Sequence, residues 1–204
     1  MRVVIIILIV NSILSHMSAK AQTNIMVDPR DGHVYKVVEI GTQTWMAENL
    51  RYTPTIVRSY DLINNNTPGI FCYNDDTANC RKYGALYSWK TAQKVCPVGW
   101  HLPSKEEYDV LLTTIGKGDA EKTYKTLIKG GSSGFEGLLG GYLDVKFIGL
   151  DLLGVFWTST ETSKSGAIPF SLSKYYDKAF TSCTPKKVAG VMKGYAQSIR
   201  CIKD

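Results

Sequence analysis

Five cysteines and three histidines are the side chains here best suited to redox, metal or nucleophilic chemistry, and their spacing narrows what that chemistry is. Cys72 and Cys80 bracket a polar, turn-rich stretch, Tyr-Asn-Asp-Asp-Thr-Ala-Asn, and would close a compact local loop. Cys96 stands just ahead of a helix and Cys201 near the end of the chain, so a bridge between them could clasp the whole second half. Chain entropy would give about 2.6 kcal/mol for the short loop and nearly 5, roughly, for the long one. No pair has the close C-x2-C spacing of structural zinc sites. Cys183, beside Thr184-Pro185, is left over. It reads as a free, inert thiol rather than a nucleophile, since a base is needed beside it and only His33 and His101 stand beyond residue 21.

Acid–base constellations are equally thin. His101 directly precedes Leu102-Pro103 at the start of a helix, where a structural hydrogen bond is the expected role. Glu106 and Glu107 are adjacent on that helix and diverge, so they do not form a facing pair of glycosidase acids. The expectation is a protein that is not an enzyme, with no catalytic residue, cofactor or metal.

The elements that must position any site follow from periodicity. Val34 to Ile40 alternates in period two, and Gly41-Thr-Gln43 turns it into Thr44 to Ala47, an early hairpin. Pro54 to Asp76, with Asn64-Asn-Asn66 and Pro68-Gly69, reads as loop. Tyr83 to Tyr87 reads as a short strand, followed by a helix capped by Ser88 that presents Trp89, Ala92 and Cys96 and ends at Pro97. Ser104-Lys-Glu-Glu107 is a capping box, and Tyr108, Leu111, Leu112 and Ile115 share one helical face up to Gly116. A shorter helix over Ala120 to Lys129 groups Tyr124, Leu127 and Ile128 and ends on Gly130-Gly131. Glycines at 130, 131, 134, 137, 140, 141, 149 and 154 then mark a long loop region. Strands are expected at Val155 to Ser159, Ala167 to Leu172, Lys187 to Met192 and Ser198 to Ile202.

The N-terminal stretch reads as a signal peptide over residues 1–21. Arg2 precedes an apolar run from Val3 to Val10, and Ala19-Lys-Ala21 fits cleavage before Gln22. The run is too short to be a convincing membrane span. Export in turn favours reading the cysteines as disulfides. Cleavage would remove Arg2 and Lys20 and no acidic residue, lowering the formal charge from +6 to +4. Basic residues are scattered, Arg81-Lys82 and Lys186-Lys187 being the longest clusters, which argues against a nucleic-acid footprint. Residues 22–204 suffice for a single domain with its own core. A secreted, periplasmic or cell-surface location is expected.

Several motifs carry a family resemblance. They are Asp31-Gly-His-Val-Tyr-Lys36, Ile40-Gly-Thr-Gln-Thr-Trp-Met-Ala-Glu-Asn-Leu50, Cys80-Arg-Lys-Tyr-Gly-Ala-Leu-Tyr87, Cys96-Pro-Val-Gly-Trp-His-Leu-Pro-Ser104, Trp157-Thr-Ser-Thr-Glu161 and Ser198-Ile-Arg-Cys201. Over Val27 to Asp204 these resemble the Fibrobacter succinogenes major paralogous domain, a family of exported bacterial proteins. Ala92-x3-Cys96, the Gly99-Trp-His-Leu-Pro103 helix start with Glu107, and the Trp-bearing strand ahead of a terminal cysteine are similar to C-type-lectin-like domains. The Leu102-Pro-Ser-x-x-Glu107 and Ile199-Arg-Cys201 segments also resemble formylglycine-generating enzymes of that fold. These resemblances imply an α+β, C-type-lectin-like domain with antiparallel strands, two to three helices and a long glycine-rich loop. They also imply the Cys96–Cys201 bridge.

Lectins of that fold bind sugar through calcium, held by Glu-Pro-Asn or Gln-Pro-Asp in the loop and Trp-Asn-Asp on the next strand. Here the strand reads Trp157-Thr158-Ser159, and the loop acids are only Glu136, Asp144 and Asp151, too few oxygens for such a site. What remains is a binding surface. Phe135, Tyr142, Phe147 and Phe156 punctuate the glycine-rich segment, and aromatic faces on mobile loops suit stacking on sugars or protein contacts. Tyr142, Asp144, Phe135 and Glu161 are the candidate ligand-binding residues; Trp45, Trp89 and Trp100 are assigned to core. The expected function is adhesion or recognition, foremost of glycans without lectin-type calcium. Alternatives are a cell-envelope assembly protein docking a protein partner, and a divergent formylglycine-generating-type enzyme. No nucleic acid partner and no membrane span after cleavage are expected.

Overall fold

The computed structural model describes residues 24–65, 67–182 and 191–204. The expected signal peptide with its cleavage point, Cys183, and the Lys187 to Gly190 part of the expected strand lie outside the described residues. In chain order the elements are β1 (Asn24–Val27), β2 (Val34–Ile40), β3 (Gln43–Met46), α1 (Ser59–Asn65), β4 (Ile70–Phe71), α2 (Thr77–Tyr83), β5 (Leu86–Ser88), α3 (Trp89–Val95) and β6 (Trp100–His101). There follow α4 (Lys105–Gly116), α5 (Ala120–Leu127), β7 (Gly140–Leu143), β8 (Phe147–Leu150), β9 (Leu153–Ser163), β10 (Gly166–Ser173), β11 (Lys178–Phe180), β12 (Val191–Met192), β13 (Ala196–Gln197) and β14 (Ile202–Lys203). This is an α+β fold in which antiparallel pairing dominates.

One sheet runs β1-β2-β3-β14-β6, so the closing strand β14 is inserted between the early hairpin and the strand before α4. The second runs β11-β10-β9-β7-β13-β5-β4, with β12 on β10 and β8 on β7. Its β7–β9 contact is parallel, through Gly141 and Gly154. Two main clusters form the core. One gathers Tyr35, Met46, Leu50, Tyr87, Trp157 and Ile199 around both cystines. The other packs Trp45, Tyr108, Leu111, Phe135, Phe156 and Phe170 beneath α4. Trp45 and Trp157 are fully buried, while Trp89 and Trp100 are only partly so.

Both cystines are present: Cys72–Cys80 and Cys96–Cys201, with Cα separations of 5.0 and 5.9 Å. Ser104 caps α4 through a complete capping box with Glu107. The other carboxylate oxygen of Glu107 meets His101 Nε2 at 2.8 Å, and His101 Nδ1 lies 2.7 Å from Asp204 Oδ1.

The region read as loop between Pro54 and Asp76 holds α1, β4 and a 3-10 turn at Tyr73–Asp75. Its polar residues are spent on local order: Asp75 accepts from the Ser59 amide and hydroxyl, and Asp76 caps α2. The glycine-rich stretch is likewise not one mobile loop, since β7 and β8 form within it. Its glycines permit close approach. A Cβ on Gly141, whose φ is +66°, would sit 2.5 Å from the Ile148 carbonyl, and one on Gly137 would sit 2.4 Å from Leu172.

Arg200 is wholly buried and has no carboxylate within ion-pair distance among the described residues. Instead it donates to the Met46 carbonyl at 3.1 Å, the Phe135 and Glu136 carbonyls, and Asn49 Oδ1 at 2.5 Å. Replacing Arg200 by Met is expected to cost about 3 kcal/mol or more, because several buried acceptors lose their donor together. Urea unfolding measures this; an unchanged midpoint would show the guanidinium to be dispensable.

The His101 ring yields a pH dependence. Burial opposes its charge, but hydrogen bonds to Asp204 and Glu107 and their negative charges outweigh this and raise its pKa above 6.5. A raised folded pKa means the contribution is complete below about 6.5 and fades as pH rises through the folded value. Melting followed from pH 5.5 to 8.5 should show this loss, small because the ring is partly solvated, and His101→Gln should flatten it. A wild-type profile that already matches the variant's would remove the argument.

Candidate functional site

Alternation along β9 and β10 builds a second surface on the other side of the core. Phe156, Phe170 and Leu172 point into the core cluster. Their neighbours Leu153, Val155, Pro169, Ser171 and Ser173 line a cleft of about 230 Å3 on the opposite face. Pro169 falls at a shift in the β9–β10 register, where its missing N–H is tolerated. In β13 the same alternation buries Ala196 in a third cluster and turns Gln197 to the cleft.

The walls are aromatic. Tyr142 comes from β7, Tyr195 from the residue before β13, Phe180 from β11, and Tyr175 and Tyr176 from the turn joining β10 to β11. Tyr142 and Tyr195 face each other with ring centroids 6.3 Å apart. Tyr175 and Tyr176 are 63% and 55% exposed, so their rings are open to a ligand. Among the described residues, no charged side chain lines the cleft.

At its floor lie polar atoms without partners. Gln197 and Ser173 are fully buried, yet among the described residues Gln197 Nε2 and Oε1 and Ser173 Oγ have no hydrogen-bond partner. The neighbouring Ser171 hydroxyl, by contrast, donates to the Ser182 carbonyl. A buried, unsatisfied carboxamide costs about 1–3 kcal/mol, and its place in the cleft lining makes Gln197 the candidate polar contact there. It offers a donor and an acceptor side by side.

A broader groove of about 980 Å3 adjoins the cleft and shares Tyr195 with it. Trp89, Asp144, Lys164 and Lys193 are among its walls. Lys193 lies 4.0 Å over the Trp89 ring and 3.1 Å from Glu161.

The four residues singled out by sequence separate. Tyr142 lines the cleft and Asp144 the groove. Glu161 is engaged by Lys193 and lines neither. Phe135 is corrected: it is fully buried, edge-on to Trp45 and beneath Arg200, and so offers no face to a ligand. Sequence reasoning missed Gln197, Ser173, Tyr175, Tyr176 and Tyr195. A signal was there in the alternation Phe170-Ser-Leu-Ser173 running into Lys174-Tyr-Tyr-Asp177, a tyrosine pair at a polar turn.

Elsewhere, the His33 ring is tilted against Tyr35 at 4.6 Å and lies 3.4 Å from Arg51, while His101 is held between carboxylates. Among the described residues no cluster of three or more His, Cys, Asp or Glu is placed to hold a metal. None of their helices is long and apolar enough to cross a membrane.

The fold and site define an α+β domain, braced by two cystines, with an aromatic cleft on the back of its larger sheet. The chain belongs to the Fibrobacter succinogenes major domain family, whose model matches residues 38–203. No curated protein and no solved structure matches it. The lectin-like and formylglycine-generating-enzyme-like features rest on the quoted motifs alone.

If Gln197 is held for a ligand, it should be a liability in the free protein. Gln197→Met, similar in length and apolar, is expected to raise stability by up to about 1–3 kcal/mol, read from urea unfolding. A clear loss would show that the carboxamide has a structural partner.

Proposed function

We propose that this domain is an exported, non-enzymatic binding module that recognises glycans through the tyrosine-walled cleft, without lectin-type calcium. The observation that carries the reading is the Gln197 carboxamide, without a partner among the described residues, in the lining of a cleft that also holds Ser173 and is walled by tyrosines. A sugar ring has an apolar C–H face and a hydroxyl edge. Tyrosine rings fit the first, and a carboxamide and a hydroxyl fit the second. Walls without charge among the described residues suit a neutral ring in the cleft. The cystines fit an oxidising, exported setting, in keeping with the signal peptide read over residues 1–21.

The envelope-assembly reading has one observation of its own. Ile25 and Val27 on edge strand β1, and Val34 paired to Val27, are exposed apolar side chains where a protein partner could dock.

The test is binding of the disulfide-bonded chain to a broad glycan and polysaccharide panel, with and without a calcium chelator. Binding should be insensitive to the chelator and fall about tenfold or more, equivalent to ~1.4 kcal/mol, in Tyr175→Ala and Gln197→Met with no loss of melting temperature. Binding that needs calcium, or that ignores both substitutions, would remove the cleft as the site. Silence across the panel would move the weight to the β1 surface and a protein partner.

A further inference from the structure

We infer that the ligand is an anionic glycan chain, one ring of which enters the cleft while its acidic neighbours lie in the adjoining lysine-bearing groove. This rests on the sugar-binding reading of the cleft. Volume is the first argument. At about 230 Å3 the cleft is smaller than the roughly 300–1,000 Å3 of sites for drug-sized ligands, so it admits little more than a single ring. The groove, about 980 Å3, stands near the top of that range. The two meet at Tyr195, whose ring pairs with Tyr142 on the cleft side. An occupant that fills both is a chain.

Charge distinguishes the two halves. Among the described residues the cleft has no charged wall, whereas the groove has Lys90, Lys164 and Lys193 against a single acid, Asp144. Lys193 is already committed, to Glu161 and to the carbonyls of Ser163 and Lys164. Lys90 and Lys164 are exposed, and no carboxylate of a described residue lies within ion-pair distance of either. They come from different elements, Lys90 from α3 and Lys164 from the β9–β10 turn, and face one groove. Asp144 is turned locally, its Oδ1 accepting from the Val145 amide. Carboxylate or sulfate substituents, spaced along a chain, are the chemistry that two unpaired ammonium groups on such a groove would recognise.

The experiment compares polyuronate, sulfated and neutral oligosaccharides of equal length, and their monosaccharides, by calorimetry on the disulfide-bonded full chain. Anionic oligomers should bind more tightly than neutral ones, and their advantage should shrink as salt rises from about 0.02 to about 0.5 M. Lys90→Glu and Lys164→Glu should each cost anionic oligomers roughly two- to fivefold and leave neutral oligomers untouched. Both sites are exposed, so melting should not change. The uronate and sulfate arms tell which acid is preferred. Equal, salt-independent binding of neutral and anionic oligomers would overturn the inference and leave the cleft reading standing. Anionic binding that survives Gln197→Met and Tyr175→Ala would overturn it too, as surface charge alone. Failure of every oligomer and monosaccharide would sink both.

Discussion

The interaction on which the rest of the structure depends is the buried guanidinium of Arg200. A lone cation out of water costs several kcal/mol, and it is tolerable only when acceptors surround it. Burial draws the Arg200 pKa down to about 10, which still leaves it charged at neutral pH. Its acceptors come from separate parts of the chain: Met46 at the end of β3, Asn49 beyond it, and Phe135 and Glu136 between α5 and β7. The Phe135 ring lies 4.4 Å from the guanidinium carbon and Phe156 of β9 5.8 Å, adding aromatic faces. Asn49 carries the network onward by donating to the Tyr83 carbonyl at 2.9 Å. One side chain therefore locks both sheets and the glycine-rich segment to a single reference point, one residue from the Cys96–Cys201 bridge.

From that point the cleft follows. Ser198 bridges Phe156, so β9 and the segment leading to Arg200 run side by side. Gln197 directly precedes that bridge, and its strand is paired on both sides, to β5 and to β7. The ladder prevents the residue from rotating its carboxamide toward water, because a turn of the strand would expose Ala196 and unpair two neighbours. The Tyr175–Tyr176 turn depends on the β10–β11 hairpin, which packs over the same core through Phe170 and Ala179. Core order and site geometry are thus one problem with one solution.

This explains what could be read from sequence and what could not. The capping box at Ser104, the β2–β3 alternation and the bracketing of a local loop by Cys72 and Cys80 are local signals, and each is realised as read. The site is not local. It is assembled from Tyr142, Gln197 and the β10–β11 turn, on strands as short as two residues whose facing is set by distant partners. No window of sequence around Ala196–Gln197 contains the β5 and β7 ladders that decide which of the two is buried in core. Glycine misled for a related reason. Gly141 and Gly154 signal freedom when read alone, but in the fold they are places where a backbone passes too close for a Cβ. Phe135 belonged with the surface aromatics only so long as Arg200, remote in sequence, was not seen to require its carbonyl.

A polar floor under aromatic walls is costly to maintain, and the way this chain maintains it bears on what the floor is for. A flexible loop could hide Gln197 and Ser173 by turning them to solvent, and would then pay an ordering cost each time a ligand arrived. Here both residues sit in strands, anchored by the Arg200 network on one side and by the Trp157 indole, which donates to the Tyr87 carbonyl at 2.7 Å, on the other. The ordering cost is met during folding, so hydrogen bonds formed with a ligand would add to affinity with little subtracted. The exposed Tyr175 and Tyr176 rings stand at the cleft's rim, where each loses only two side-chain torsions on contact. Rigid acceptors and donors below, with adjustable aromatic faces above, are the arrangement that the proposed sugar-binding reading requires, fixed polar contacts for hydroxyls and tolerant apolar contacts for the rest of a ring.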